Sequence, residues 1–206
     1  MTGDGQAESR RLAAVAPKYD DDQVLFCPSS NGGEIEQGAL RIVGSKKRGT
    51  DPGGATGTKV IDGLRGRLKH YDDVVFVVDA EHFRENPKTE LTTKFRDLNW
   101  NVETTTTLGD GAYEFSLSVG STRVTVYAAV VGDRFDCFED GIAALLQRRR
   151  DISQRSLYDG VDDRDDLKQR IDGILDCSDD KLVREANRHE IGECLPALAA
   201  VLCQFE

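Results

Sequence analysis

Apolar and polar positions divide this chain into strand-like runs, helical stripes and one alternating stretch. The densest apolar run is Val74-Val75-Phe76-Val77-Val78, followed at once by Asp79-Ala80-Glu81. An unbroken, mostly β-branched run of that length suits a strand covered on both faces, as in the centre of a parallel sheet. Shorter runs at 24–27 and 39–43 read as two earlier strands. Val60, Ile61, Leu64 and Leu68 follow the helical period behind a cap at Thr56 or Thr58. Leu91, Phe95 and Leu98 do the same after Pro87, a residue suited to the first helical turn. The threonine-rich stretch 101–108 fits another strand.

Beyond Gly109-Asp110-Gly111 the period changes. Tyr113, Phe115, Leu117 and Val119 alternate with Glu114, Ser116 and Ser118, and Gly120-Ser121 turns the chain into Val124, Val126 and the apolar run 128–131. That pattern predicts a β-hairpin over 109–132, placed antiparallel at the sheet edge. From 137 onward three stripes are helical: Phe138, Ile142, Leu145 and Leu146; Leu167, Ile171, Ile174 and Leu175; and Ile191, Leu195, Leu198, Leu202 and Phe205.

This order predicts an α/β fold: a small, mainly parallel, Rossmann-like sheet flanked by helices, then a β-hairpin and a helical C-terminal part. Residues 1–22 are polar and small and are expected to form a flexible arm with a short helix near 10–16. Residues 23–206 are expected to form a single domain, with its core over 23–108 and the helical part over 137–206.

Composition narrows the function classes. No apolar run approaches the ~20 residues that span a bilayer, and the opening residues lack the apolar core of a secretory signal, so a cytoplasmic protein with no membrane partner is expected. The five cysteines never form Cys-x-x-Cys, which argues against a structural zinc site or a disulfide framework. Cys194 and Cys203 fall in an apolar helical pattern and are expected to pack as small hydrophobes. A net charge of −10 opposes indiscriminate nucleic-acid binding by the whole surface. Locally the balance reverses, for residues 41–69 carry eight basic and two acidic side chains. A zone of that kind can attract phosphates.

Asp79 and Glu81 lie where an open α/β sheet binds its ligands, beyond the carboxyl end of a strand. Residues two apart in a strand project from one side. Paired carboxylates there are costly unless a cation or proton separates their charges. Magnesium is the natural ion, being a hard cation that takes one or two carboxylates and keeps several waters. Glu34 or Glu36, after the first strand, is expected to supply a further acid, and Glu139 an outer metal ligand; first-turn acids such as Glu139 and Asp140 also complement a helix dipole. The glycine-rich loop 44–54 and the turn ahead of Lys59 bring Lys46, Lys47, Arg48 and Lys59 forward as phosphate-binding residues. Thr58 separates Gly57 from Lys59, so no P-loop is present.

With an acid after a first strand, Leu40-Arg41-Ile42-Val43-Gly44 leading toward a helix, and Asp79-Ala80-Glu81 after a later strand, the chain resembles the topoisomerase–primase (TOPRIM) domain over residues 23–108. The nearest versions are the compact stand-alone or overcoming-lysogenization-defect nuclease-like ones. Glu81 stands where that family has a second aspartate. The resemblance implies Mg²⁺-dependent cleavage or joining of phosphodiester bonds, with Glu34 or Glu36, Asp79 and Glu81 as catalytic acids. The competing expectation is a non-catalytic α/β module that binds a nucleotide, nucleic acid or protein, in the setting of a defence or mobile-element system.

Overall fold

A computed structural model of the chain describes residues 2–3, 6–19, 61, 72–175 and 179–206. Five described strands form one sheet in the order β1-β2-β5-β4-β3: β1 Thr2–Gly3, β2 Asp73–Asp79, β3 Asn101–Gly109, β4 Ala112–Val119 and β5 Thr122–Val131. The α/β class holds, and the described sheet is mixed. β2 runs parallel to both β1 and β5, whereas β3, β4 and β5 form an antiparallel meander.

The Val74–Val78 run is sandwiched between β1 and β5, and all five residues are buried. The hairpin strands β4 and β5 form as the alternation predicts, but they do not make the edge. Ala128 to Val131 are buried on both faces and draw β5 inward beside β2, so the meander leaves the threonine-rich β3 outermost. Every β3 side chain is accordingly exposed or half-buried. At the β3–β4 turn Gly111 has φ +68°, and a Cβ there would lie 2.5 Å from the Val130 carbonyl oxygen. Only glycine fits both demands.

Helices cover both faces. On one, α2 (Pro87–Asp97) buries Leu91 and Phe95 against Val74, Phe76 and Val78. Asn86 caps its start by accepting the Thr89 N–H, and Asn99 ends it at φ 61°. Trp100 N–H then donates to the Phe95 carbonyl while its ring stacks on Phe95, which is the hydrophobic contact expected of such a stop. Ile61 is buried on this same face.

The other face carries α1 (Gln6–Val15), α3 (Phe138–Arg150), α4 (Gln154–Tyr158), α5 (Arg164–Ile174), α6 (Asp179–Glu185), α7 (Arg188–Cys194) and α8 (Pro196–Leu202). Within the segment expected as a flexible arm, Leu12, Val15, Ala16 and Tyr19 are instead buried in this core. Their spacing is itself helical, the signal that polar composition obscured. The stripe from Ile191 to Phe205 spans two helices and a 3-10 turn, because Pro196 starts a new helix rather than continuing α7. Cys194 is half-buried, but Cys203 lies past the end of α8 and is exposed, contrary to the packing expected of it.

Candidate acidic site at the carboxyl end of the sheet

Strand β2 delivers Asp79 to the sheet end level with Val131 of β5. Being odd-numbered like Val75 and Val77, Asp79 turns to the many-helix face. There its Oδ1 accepts the Phe138 N–H at 2.9 Å, so a carboxylate from the sheet closes the first turn of α3. Such a position favours negative charge, because orphan N–H groups and the helix dipole converge on it.

The loop between β5 and α3 makes that approach possible. Gly132 has φ +133°, and a Cβ there would meet the Asp136 backbone at 2.3 Å. Asp140 Oδ2 gathers the N–H groups of Asp133, Phe135 and Cys137 at 2.9, 3.0 and 3.2 Å. The Glu81 N–H donates to the Asp136 carbonyl, tying this loop to the 3-10 turn Ala80–His82 after β2. Asp140 is thus a buried organiser of the loop.

Glu139, one residue earlier, faces the charged cluster and is only 2 % exposed. Its Oε1 receives Arg11 Nη2 of α1 at 2.9 Å, and Arg11 also binds Asp179 Oδ2 of α6 through Nε at 2.8 Å. Its Oε2 lies 3.6 Å from Arg164 Nε and accepts no hydrogen bond. Arg164, the first residue of α5, reaches back with Nη1 to Asp79 Oδ2 at 3.1 Å and to Glu81 Oε1. One guanidinium therefore touches acids from the end of β2, the following turn and α3.

The electrostatics follow from this crowding. Burial alone raises Glu139, but the guanidiniums of Arg11 and Arg164 outweigh it and hold its carboxyl below the ordinary glutamate value. For Arg164 burial works downward, and Asp79, Glu139 and Glu81 together push it up more strongly. Cys137 is pushed up to about 12 by burial first and then by the negative charges of Asp140, Glu139 and Asp79. Its thiol stays protonated and is no nucleophile at neutral pH.

Among the sequence-derived residues, Asp79, Glu81 and Glu139 are brought together. The adjacency of Asp79 and Glu81 does not come from a continuing strand, since the chain enters a 3-10 turn at Ala80. Asp79, Glu81 and His82 offer ligand atoms lying within 4.8 Å of one another, and Glu139 is not a member of that group. Glu34, Glu36, Lys46, Lys47, Arg48 and Lys59, and most of the basic zone 41–69, lie outside the described residues. Sequence reading missed Arg164 and Arg11. Arg164 stands among aspartates at a helix start, where a cation is disfavoured by the dipole, and that mismatch was its available signal. Arg148 and Arg149, at the end of α3, pair with Glu193 and Glu190 of α7 and serve helix packing.

No family model and no curated protein matches the chain. Among solved structures it is similar to a hypothetical protein from Pyrococcus horikoshii OT3, at 16% identity and a TM-score of 0.47, over 97% of this chain and 95% of that one. Among the described residues, no helix is long and apolar enough to cross a membrane.

Proposed function

We propose that this protein is a Mg²⁺-dependent phosphoryl-transfer enzyme of TOPRIM-like type, most simply a nuclease, working at the carboxyl end of β2. The observation that carries the reading is the convergence of Asp79, Glu81 and Glu139, from separate elements, around one guanidinium. The donor set suits the ion: hard carboxylate oxygens, one of them the buried Glu139 Oε2 that accepts no hydrogen bond. Asp79 and Glu81 would hold the cation, Glu139 would stand behind them, and the half-buried His82 lies close enough to carry a proton or add a ligand. A divalent ion held there supplies Lewis-acid polarisation of a phosphate oxygen and a more acidic water. Asp79, fixed by Phe138 N–H, is the orienting member. Glu81, about a third exposed, is the acid best placed to meet solvent and substrate. Glu34 or Glu36 and the basic residues Lys46, Lys47, Arg48 and Lys59 complete the proposal as a further acid and as phosphate-backbone contacts.

The deciding experiment is nicking of supercoiled DNA, and of RNA, with and without Mg²⁺, by the wild type and Asp79→Asn. The amide oxygen of asparagine can still accept from Phe138 N–H, so the variant should fold while losing the charge. Metal-dependent cleavage that vanishes in the variant is the expected result. Cleavage at wild-type rate would remove the proposal.

A second reading is favoured by one specific observation. Arg164 already lies against Asp79, Glu81 and Glu139, as in an internal ion-pair network that needs no metal. In that case the protein is a non-catalytic module that binds nucleotide, nucleic acid or protein. A melting temperature that does not respond to Mg²⁺ or Mn²⁺ would favour it.

A further inference from the structure

We propose that Arg164 is a displaceable counter-ion: its guanidinium holds the carboxylates of Asp79 and Glu81 until a divalent cation takes them, and then turns to a phosphate of the substrate. The inference rests on the metal-dependent reading above and adds to it a substrate-contacting residue from α5. A single nitrogen, Nη1, binds Asp79 Oδ2 at 3.1 Å and also Glu81 Oε1. These same two residues, with His82, form the group whose ligand atoms lie within 4.8 Å of one another. A cation held by those oxygens must compete with Nη1 for their lone pairs.

The placement of Arg164 in its own helix points the same way. It is the first residue of α5, where Asp163 caps by accepting the Asp166 N–H at 3.0 Å. A cation in a first helical turn opposes the dipole, so α5 itself gives no reason for an arginine there. Its attraction is to the carboxylates across the site. Arg164 is also about a third exposed, whereas Arg11, which holds the other oxygen of Glu139, is sealed at 3%. Arg11 is thus the fixed support and Arg164 the one that can leave. Once released, a planar guanidinium at the rim of a metal site is suited to bidentate contact with phosphate oxygens.

The test uses the full chain as wild type, Arg164→Gln and Arg164→Lys. Mn²⁺ alone is titrated calorimetrically, and phenyl phosphate is then titrated into the Mn²⁺-loaded protein. Removing the competitor should tighten Mn²⁺ binding about tenfold in Arg164→Gln and by less in Arg164→Lys, and should weaken phenyl phosphate about tenfold in Arg164→Gln. Equal or weaker Mn²⁺ binding in both variants would overturn the exchange while leaving a metal site in place. Tighter Mn²⁺ with unchanged phenyl phosphate would overturn the phosphate role. Absence of Mn²⁺ binding in all three proteins, wild type included, would instead sink the metal reading itself and this inference with it. If Arg164→Gln does not fold, Arg164→Lys decides: its point charge cannot reproduce the guanidinium contacts, so Mn²⁺ must still bind more tightly than in the wild type.

Discussion

On one face of the sheet Phe95, Trp100 and Phe115 pack in stacked and edge-on pairs against β2 and β5, and the buried residues described there are all apolar. On the other face Leu12, Val75, Ile142 and Leu198 surround a core at whose rim Arg11, Asp79, Glu139 and Asp140 are buried. The aromatic face behaves as an ordinary hydrophobic layer, stabilising in proportion to area removed from water. The charged rim cannot be explained that way, since desolvating carboxylates and guanidiniums costs several kcal/mol per ion before attraction repays it. A fold that places this cost at the carboxyl end of its sheet, and nowhere among the described residues of the opposite face, keeps its buried charge apart from its aromatic layer.

The largest effect expected from breaking that separation is on the aromatic side. Phe115→Ala should cost about 3–5 kcal/mol by lost transfer energy and a cavity, measured by urea unfolding. Divalent-cation affinity of the molecules that remain folded should not change; a parallel loss of affinity would show that the two faces are coupled.

On the charged side Arg11→Met should cost a comparable ~3–5 kcal/mol, because Glu139 would lose its closest buried partner. Adding Glu139→Gln to that variant should return much of the loss, which a double-mutant cycle would read directly. Strict additivity would mean that the pair does not interact as its 2.9 Å contact requires.

Asp79→Asn should cost about 1–3 kcal/mol without added metal, because the amide NH2 replaces the buried oxygen that faces Arg164 Nη1. It should also abolish a cation-dependent stabilisation worth roughly 2.7 kcal/mol at a hundred times the dissociation constant. Glu81→Gln should be milder in stability, within about 1 kcal/mol, because the Glu81 carboxylate is partly exposed and screened. Its effect on cation binding should nevertheless approach that of Asp79→Asn.

The smallest expected effect is on the acid limb. Glu139 is held below its ordinary value of 4.5 in the folded protein. Its contribution is therefore present above 4.5 and lost as pH falls through the lower folded value. Melting temperature followed into acid should fall less steeply in Glu139→Gln than in the wild type. Identical slopes would show that the two arginines do not hold the carboxyl down.

Local pattern determined a good deal of this molecule. Strand β2, helix α2 with Pro87 at its start, the alternation of β4 and β5, and the apolar stripes of α3, α5 and α8 all follow from periodicities that act over a few residues. The pairing of Asp79 with Glu81 was legible for the same reason, two acids directly after a buried run. What tertiary structure decided was adjacency between distant segments. β5 lies inside the sheet because both its faces find cover, and no local period states which strand will supply it. Arg11 meets Glu139, and Arg164 meets Asp79, across 128 and 85 residues of chain respectively. Attraction between charges depends on distance in space and on the dielectric around them, and neither is written in sequence spacing. The acids were visible in the sequence, and their partners became visible only when the helices closed over the sheet end.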